Sequence, residues 1–236
     1  MTGNQSAHRL RRHRGIGLVE VMIALVVGLL LLISLSYFLL GSRMVSRATD
    51  DVSRMQESGR NALELMGRAI RQAGYRTDVS LPFAGTAVTG TNGASGAPDT
   101  ITVQSDAQPG GEINCSGTGI TSGLVTAAFA VDDSTDPPSL TCNGTVIADN
   151  IEDMQVTYGI DFDRDGNIES YKTAPTVPEF RQVAAVAVSL LVRGPSAHVA
   201  ANDSQTYAYN GASVTKTDGY LRQVFNATFT VRNQAW

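Results

Sequence analysis

The chain has 236 residues, 42% hydrophobic and 17% charged, with 18 basic residues against 22 acidic ones for a formal charge of −4. That length accommodates an anchor segment and one further globular domain, not two large ones. The acidic balance argues against a nucleic-acid partner, which requires a basic face, and the three histidines and two cysteines offer no clustered zinc spacing.

The first fifteen residues carry Arg9, Arg11, Arg12 and Arg14 and no acid, and they end at Gly15. A basic flank of this kind stays on the cytoplasmic side of a membrane. Beyond it, Ile16 to Leu40 form a 25-residue apolar run, IGLVEVMIALVVGLLLLISLSYFLL, interrupted by a single carboxylate at Glu20. The run spans about 37 Å as a helix, more than the roughly 30 Å of a bilayer core. It is also longer than the apolar core of a secretory signal, and no A-x-A site follows it. A carboxylate deep in hydrocarbon costs about 2.5–3.5 kcal/mol on insertion scales, so Glu20 calls for a cationic partner. Cleavage after Gly15 would supply one. The new amino terminus at Ile16 lies four residues from Glu20, on the same helical face, and the amine of a neighbouring copy is equally eligible.

The arginine-rich leader, the Gly15 junction and Glu20 at the fifth position after it resemble the prepilin signal of type IV pilins and type II secretion pseudopilins. The resemblance implies cleavage after Gly15 by a prepilin peptidase, N-methylation of Ile16 and a role for Glu20 in docking subunits into a filament. Ile16 and Gly17 depart from the commoner Phe and Thr or Ser. Loss of the leader leaves 14 basic residues against 22 acidic ones, a net charge of −8.

After Leu40 the pattern becomes amphipathic with no proline before Pro82, so the helix is expected to continue. Val45, Ala48, Val52, Met55, Gly59, Ala62, Met66, Ala69 and Ala73 form its predicted apolar stripe, and Gly74 is a left-handed stop. The expected organisation is a leader at 1–15, a membrane or filament-core helix at 16–40, an amphipathic helix half at 41–74 and a periplasmic β-rich head at 75–236.

Residues 84–123 are dense in Gly, Ser and Thr and read as loop, with one strand at Thr100–Gln104. Strand signals then recur at Thr126–Val131, Thr145–Ala148, Met154–Phe162, Ile168–Thr173, Val183–Val192 and Val224–Val231. The run Val183–Val192 alternates poorly and is read as a buried strand on the strength of its valines and the Gly194-Pro195 stop. One long helix followed by a mainly antiparallel sheet is an α+β layout.

Four segments, Gln56–Arg76, Ile151–Asn167, Val183–Pro195 and Leu221–Asn233, resemble the PilW family of minor pilins in kind and in order. What this implies is a type IV pilin-like fold and a non-catalytic subunit held in the bacterial inner membrane with its head in the periplasm. Other minor pilins, the major pilin, the prepilin peptidase and the inner-membrane assembly platform are the implied partners. Membrane lipid surrounds it before assembly, and pilus initiation, twitching motility and adhesion are the implied functions. A minor pseudopilin of the J type in type II secretion, and a calcium-binding or adhesive domain on a signal anchor, are the alternatives.

Cys115 and Cys142 both fall on the side assigned to the periplasm, where a disulfide is permitted and would stabilise the fold by roughly 3–4 kcal/mol. Asp161, Asp163, Asp165, Gly166 and Asn167 spell D-x-D-x-D-G-N, the first half of a calcium loop, with Glu169 available at the ninth position. The twelfth position is Lys172 instead of glutamate, and the same residues suit a hairpin turn, which is the preferred reading; a calcium cofactor is the second. His198, the one histidine outside the leader, has no relay or metal partner at a telling spacing, and three N-x-S/T triplets beginning at Asn143, Asn202 and Asn226 receive no role.

Overall fold

In the computed structural model, described here for residues 17–174, 180–199 and 203–233, helix α1 runs from Leu18 to Gln72. The chain divides into two units, Met1–Ser46 and Arg47–Trp236. In the first, Leu18 to Leu40 present large apolar side chains that are 44–77% exposed.

In the second unit the helix buries Asp51, Met55, Gly59, Ala62, Met66, Gly67 and Ile70. The predicted stripe is right from Met55 onward and wrong before it. Val45 and Val52 are exposed, and Asp51 takes the inward position because Ser196 donates to it twice, from its backbone N–H at 3.2 Å and its hydroxyl at 3.0 Å. A carboxylate so bonded can be buried where an unbonded one could not. The helix ends where expected. Gly74 adopts φ +72°, its N–H donates to the Gln104 carbonyl at 2.8 Å, and the Asn233 side-chain amide reaches the carbonyl of Arg71 at 3.4 Å.

Thirteen strands follow in the described residues: β1 Val88–Thr91, β2 Thr100–Asp106, β3 Glu112–Ile113, β4 Gly119–Ile120, β5 Leu124–Asp132, β6 Ser139–Cys142, β7 Thr145–Asp149, β8 Ile151–Ile160, β9 Ser170–Lys172, β10 Val183–Arg193, β11 Gln205–Tyr209, β12 Ala212–Lys216 and β13 Arg222–Thr230. One antiparallel sheet has the order β1-β2-β5-β6-β7 and a second the order β13-β10-β8-β9, with β3-β4 and β11-β12 as separate hairpins. The fold is α+β, a long amino-terminal helix followed by an antiparallel head. The region 84–123 holds more order than its composition suggests. β1 pairs with β2, and β3 pairs with β4.

Strand β10 lies centrally in the second sheet, with Val186, Val188 and Leu190 opposite Tyr158, Val156 and Met154 on one side and Phe229, Ala227 and Phe225 on the other. All three β10 residues are buried. Its intervening positions are Ala187, Ser189 and Leu191, which explains why apolar and polar residues fail to alternate cleanly along it. The second sheet meets α1 through two aromatic rings. A Cβ placed on Gly59 would lie 2.6 Å from the Phe225 ring, and one on Gly67 would lie 2.4 Å from the Phe229 ring, so the glycines are notches that the rings fill. The Arg71 guanidinium sits 5.5 Å from the centre of the Phe229 ring, a further attraction at this seam.

Asp99 ties the two sheets together. Its carboxylate accepts the N–H groups of Gly93 at 2.8 Å and Val156 at 2.7 Å, and its own N–H donates to the Met154 carbonyl at 2.8 Å. The packed interior includes Met66 and Ile70 from the helix, Ile101, Phe129 and Leu140 from the first sheet, and Met154, Tyr158 and Leu190 from the second.

Candidate functional site

Gly15 and Ile16, the predicted processing junction, lie outside the described residues. The helix opens immediately after them. The Gly17 carbonyl accepts the N–H groups of Glu20 at 3.0 Å and Val21 at 3.2 Å, which puts Glu20 in the first turn. A carboxylate at a helix amino terminus faces the positive end of the macrodipole and the orphan N–H groups there. Glu20 is exposed, and it is the one charged residue between Leu18 and Ser42. The stretch is long and apolar enough to cross a membrane. Its Ser36 hydroxyl donates to the Leu32 carbonyl at 2.8 Å, so that polar group is satisfied within the helix.

Cys115 and Cys142 form a disulfide with their Cα atoms 5.9 Å apart. It links the turn of the β3–β4 hairpin to the end of β6. Asn143, the next residue, has φ 50° and is followed by Gly144 at φ 78°, and its side chain both accepts the Ala128 N–H at 2.9 Å and donates to the Thr126 carbonyl at 2.8 Å. The triplet that resembled a glycosylation acceptor is thus a two-residue hairpin turn between β6 and β7. Asn210–Gly211, with φ 49° and 75°, turns β11 into β12 in the same way.

The acidic loop connects β8 to β9. Asp161 is 2% exposed and its Oδ2 accepts the Gly166 N–H at 3.0 Å. The Asp163 carboxylate accepts the Asp165 N–H at 3.3 Å, and the Glu169 carboxylate accepts the Phe162 N–H at 2.8 Å. Asp161, Asp163, Asp165 and Glu169 each bring one carboxylate oxygen within 4.8 Å of the others. The Asn167 side chain is engaged differently: its amide donates to Asp165 Oδ2 at 2.8 Å, and its backbone N–H donates to Asp165 Oδ1 at 2.8 Å. Those bonds hold the Asp165 carboxyl below the usual carboxylate range. Arg164 at φ 61° and Gly166 at φ 93° supply the sharp bend.

Sequence reasoning missed the charged cluster at the base of β13. The Arg222 side chain is 1% exposed and forms ion pairs with Glu152 and Asp218. Burial alone would lower its pKa, but the hydrogen bonds to Asp218 and Glu152 prevail and carry it above its ordinary value. In return, the hydrogen bond from Arg222 lowers the Asp218 carboxyl to about 2. The one hint in the sequence was an arginine heading an otherwise apolar-alternating strand. Tyr158 is another group invisible beforehand. Its ring is buried edge-on to Phe180 at 5.4 Å, and burial, reinforced by the charge of Asp99, pushes its hydroxyl pKa up. His198 meets Asp203 Oδ1 at 2.9 Å on an exposed turn.

Comparison with known proteins agrees with the prepilin and minor-pilin resemblances. Residues 10–36 match the prokaryotic N-terminal methylation motif, and residues 121–233 match the family of type IV pilus-assembly protein W. A search of curated proteins finds no match. Among solved structures, the chain is similar to the type IV-like pilin TTHA1219 from Thermus thermophilus, at 17% identity and a TM-score of 0.48, over 79% of this chain and 98% of that one. The chain thus carries the prokaryotic methylation motif over its apolar helix and, from β5 to β13, is similar to the PilW family of type IV pilus-assembly proteins.

Proposed function

We propose that this protein is a non-catalytic minor pilin that helps to initiate or cap a type IV pilus, in support of twitching motility and adhesion. One observation carries the reading: the methylation motif covers a helix whose Leu18–Leu40 side chains face outward around a single first-turn carboxylate, Glu20, in a chain that also matches a pilus-assembly family. Such a surface is suited to lipid before assembly and to the helices of neighbouring subunits afterwards. On this reading a prepilin peptidase cuts after Gly15 and the methylated amine of Ile16 neutralises Glu20, on the same subunit or the next. The head stays in the periplasm, anchored to the inner membrane, until the assembly platform moves the subunit into a fibre with other minor pilins and the major pilin. The pilus-assembly match favours this over a secretion pseudopilin.

Mass spectrometry of the membrane-extracted protein tests it. The expected product is an N-methylated peptide beginning at Ile16. Recovery of only the intact arginine-rich leader, beginning at Met1, would overturn the proposal.

A further inference from the structure

We propose that the loop between β8 and β9 is a divalent-cation site, specific for calcium, formed by Asp161, Asp163, Asp165 and Glu169. The four side chains occupy the first, third, fifth and ninth positions of a loop whose sixth residue is Gly166, the spacing at which alternate carboxylates turn toward one centre. The fold delivers that convergence, since one carboxylate oxygen from each residue lies within 4.8 Å of the rest. A cation about 2.4 Å from each of its ligands spans oxygens up to about 4.8 Å apart, which is the calcium range. Donors that are all carboxylate oxygens select a hard cation over a transition metal. An exposed loop suits the irregular shell of calcium better than the strict octahedron of magnesium.

A tight hairpin turn explains the positive φ of Arg164 and Gly166, but it does not explain Asp161. This side chain is 2% exposed, and its Oδ1 is buried with no hydrogen-bond partner among the described residues, while Oδ2 is satisfied by Gly166. A buried carboxylate oxygen without a donor is costly unless a cation answers it. Arg164 and Arg181 border the same cleft, yet among the described residues none of the four carboxylates forms an ion pair. Lys172, at the twelfth position, is paired with Tyr158 in the sheet and holds its ammonium 5.4 Å from the Phe162 ring, leaving the acidic cluster to itself. The ion would therefore clamp the end of β8 to the start of β9 and make the order of this loop depend on calcium outside the cytoplasm.

The test is isothermal titration of calcium chloride into the full-length protein, freed of metal by a chelator and held in detergent micelles. One saturable site is expected, with a dissociation constant in the range of about 0.1–1 mM typical of extracellular calcium modules. Asp163→Asn, an exposed and nearly isosteric change, should weaken binding at least about tenfold by removing one ligand charge. Its circular dichroism in chelator should match that of the unsubstituted protein. Asp132→Asn, in a similar acidic turn bonded to Ser134 at the end of β5, should leave binding unchanged. Absence of a saturable heat up to about 5 mM calcium would overturn the proposal. Binding undiminished in Asp163→Asn, or lost equally in Asp132→Asn, would do the same.

Discussion

Replacing Gly67 with alanine sets helix propensity against packing, and the notch under Phe229 decides which prevails. Alanine favours a helix interior over glycine by about 0.8–1.0 kcal/mol. The added methyl would lie 2.4 Å from a Phe229 ring carbon, however, where carbon atoms prefer about 3.5 Å or more. The ring must retreat by about 1 Å, away from the seam where Arg71 faces it and Val186 pairs beside it. Overpacking on this scale costs about 1–3 kcal/mol. The expected net result for Gly67→Ala is a loss of about 1 kcal/mol, or about 2–4 °C in the melting midpoint of a head of this size. In a Phe229→Ala background the obstruction is gone, and the same substitution should stabilise by about 0.8–1.0 kcal/mol. Urea unfolding of the four proteins in detergent, followed by circular dichroism, gives the coupling directly as a double-mutant cycle. An effect of the same sign and size in both backgrounds would refute the notch, and with it the reasoning that Phe225 occupies Gly59 in the same manner.

Reducing the Cys115–Cys142 bond should cost about 3.5 kcal/mol, as expected for closure of a loop with a sequence separation of 27, and a melt with and without reductant measures it; an unmoved midpoint would contradict this. The Asp218 carboxyl is held down to about 2 by Arg222, so its contribution is complete above the unfolded-state carboxylate pKa of about 3.9 and is lost as pH falls through about 2. Midpoints recorded across that acid window should therefore fall less steeply in Asp218→Asn, with the difference reduced by salt because the side chain is 43% exposed. Parallel pH profiles for the two proteins would discount the pair. Glu20→Ala should still be inserted and cleaved but recovered poorly in sheared pili, as read by immunoblot; undiminished recovery would remove Glu20 from assembly.

The long helix, its stop at Gly74 and the strongest strands were readable because each depends on a local pattern: unbroken apolarity, a glycine after the last periodic residue, or β-branched runs. The upper part of the apolar stripe was not, because Asp51 is buried by a tertiary bond to Ser196, 145 residues distant. β6 and the β11–β12 hairpin were missed although a local sign existed. Asn143-Gly144 and Asn210-Gly211 are each flanked by Thr, Tyr or Val, the signature of a two-residue turn. The acidic loop was legible in its spacing but not in its asymmetry, since the sequence alone does not reveal that Asp161 is buried while the other three are exposed. The Arg222 cluster requires Glu152 of β8, 70 residues earlier, to meet Asp218 and Arg222 at the start of β13, which no window of sequence displays.

The pairing of two aromatic pegs with two notches has a consequence for the order in which the molecule matures. Gly59 and Gly67 are eight residues apart, about 12 Å along a helix, and Phe225 and Phe229 are four apart, about 13 Å along a strand, so the pegs engage together or not at all. A slip of the helix by a single turn would strand both rings against side chains. Because those rings arrive more than 160 residues after the glycines in the chain, the screw phase of the helix against its sheet is fixed by a segment synthesised long after the helix itself.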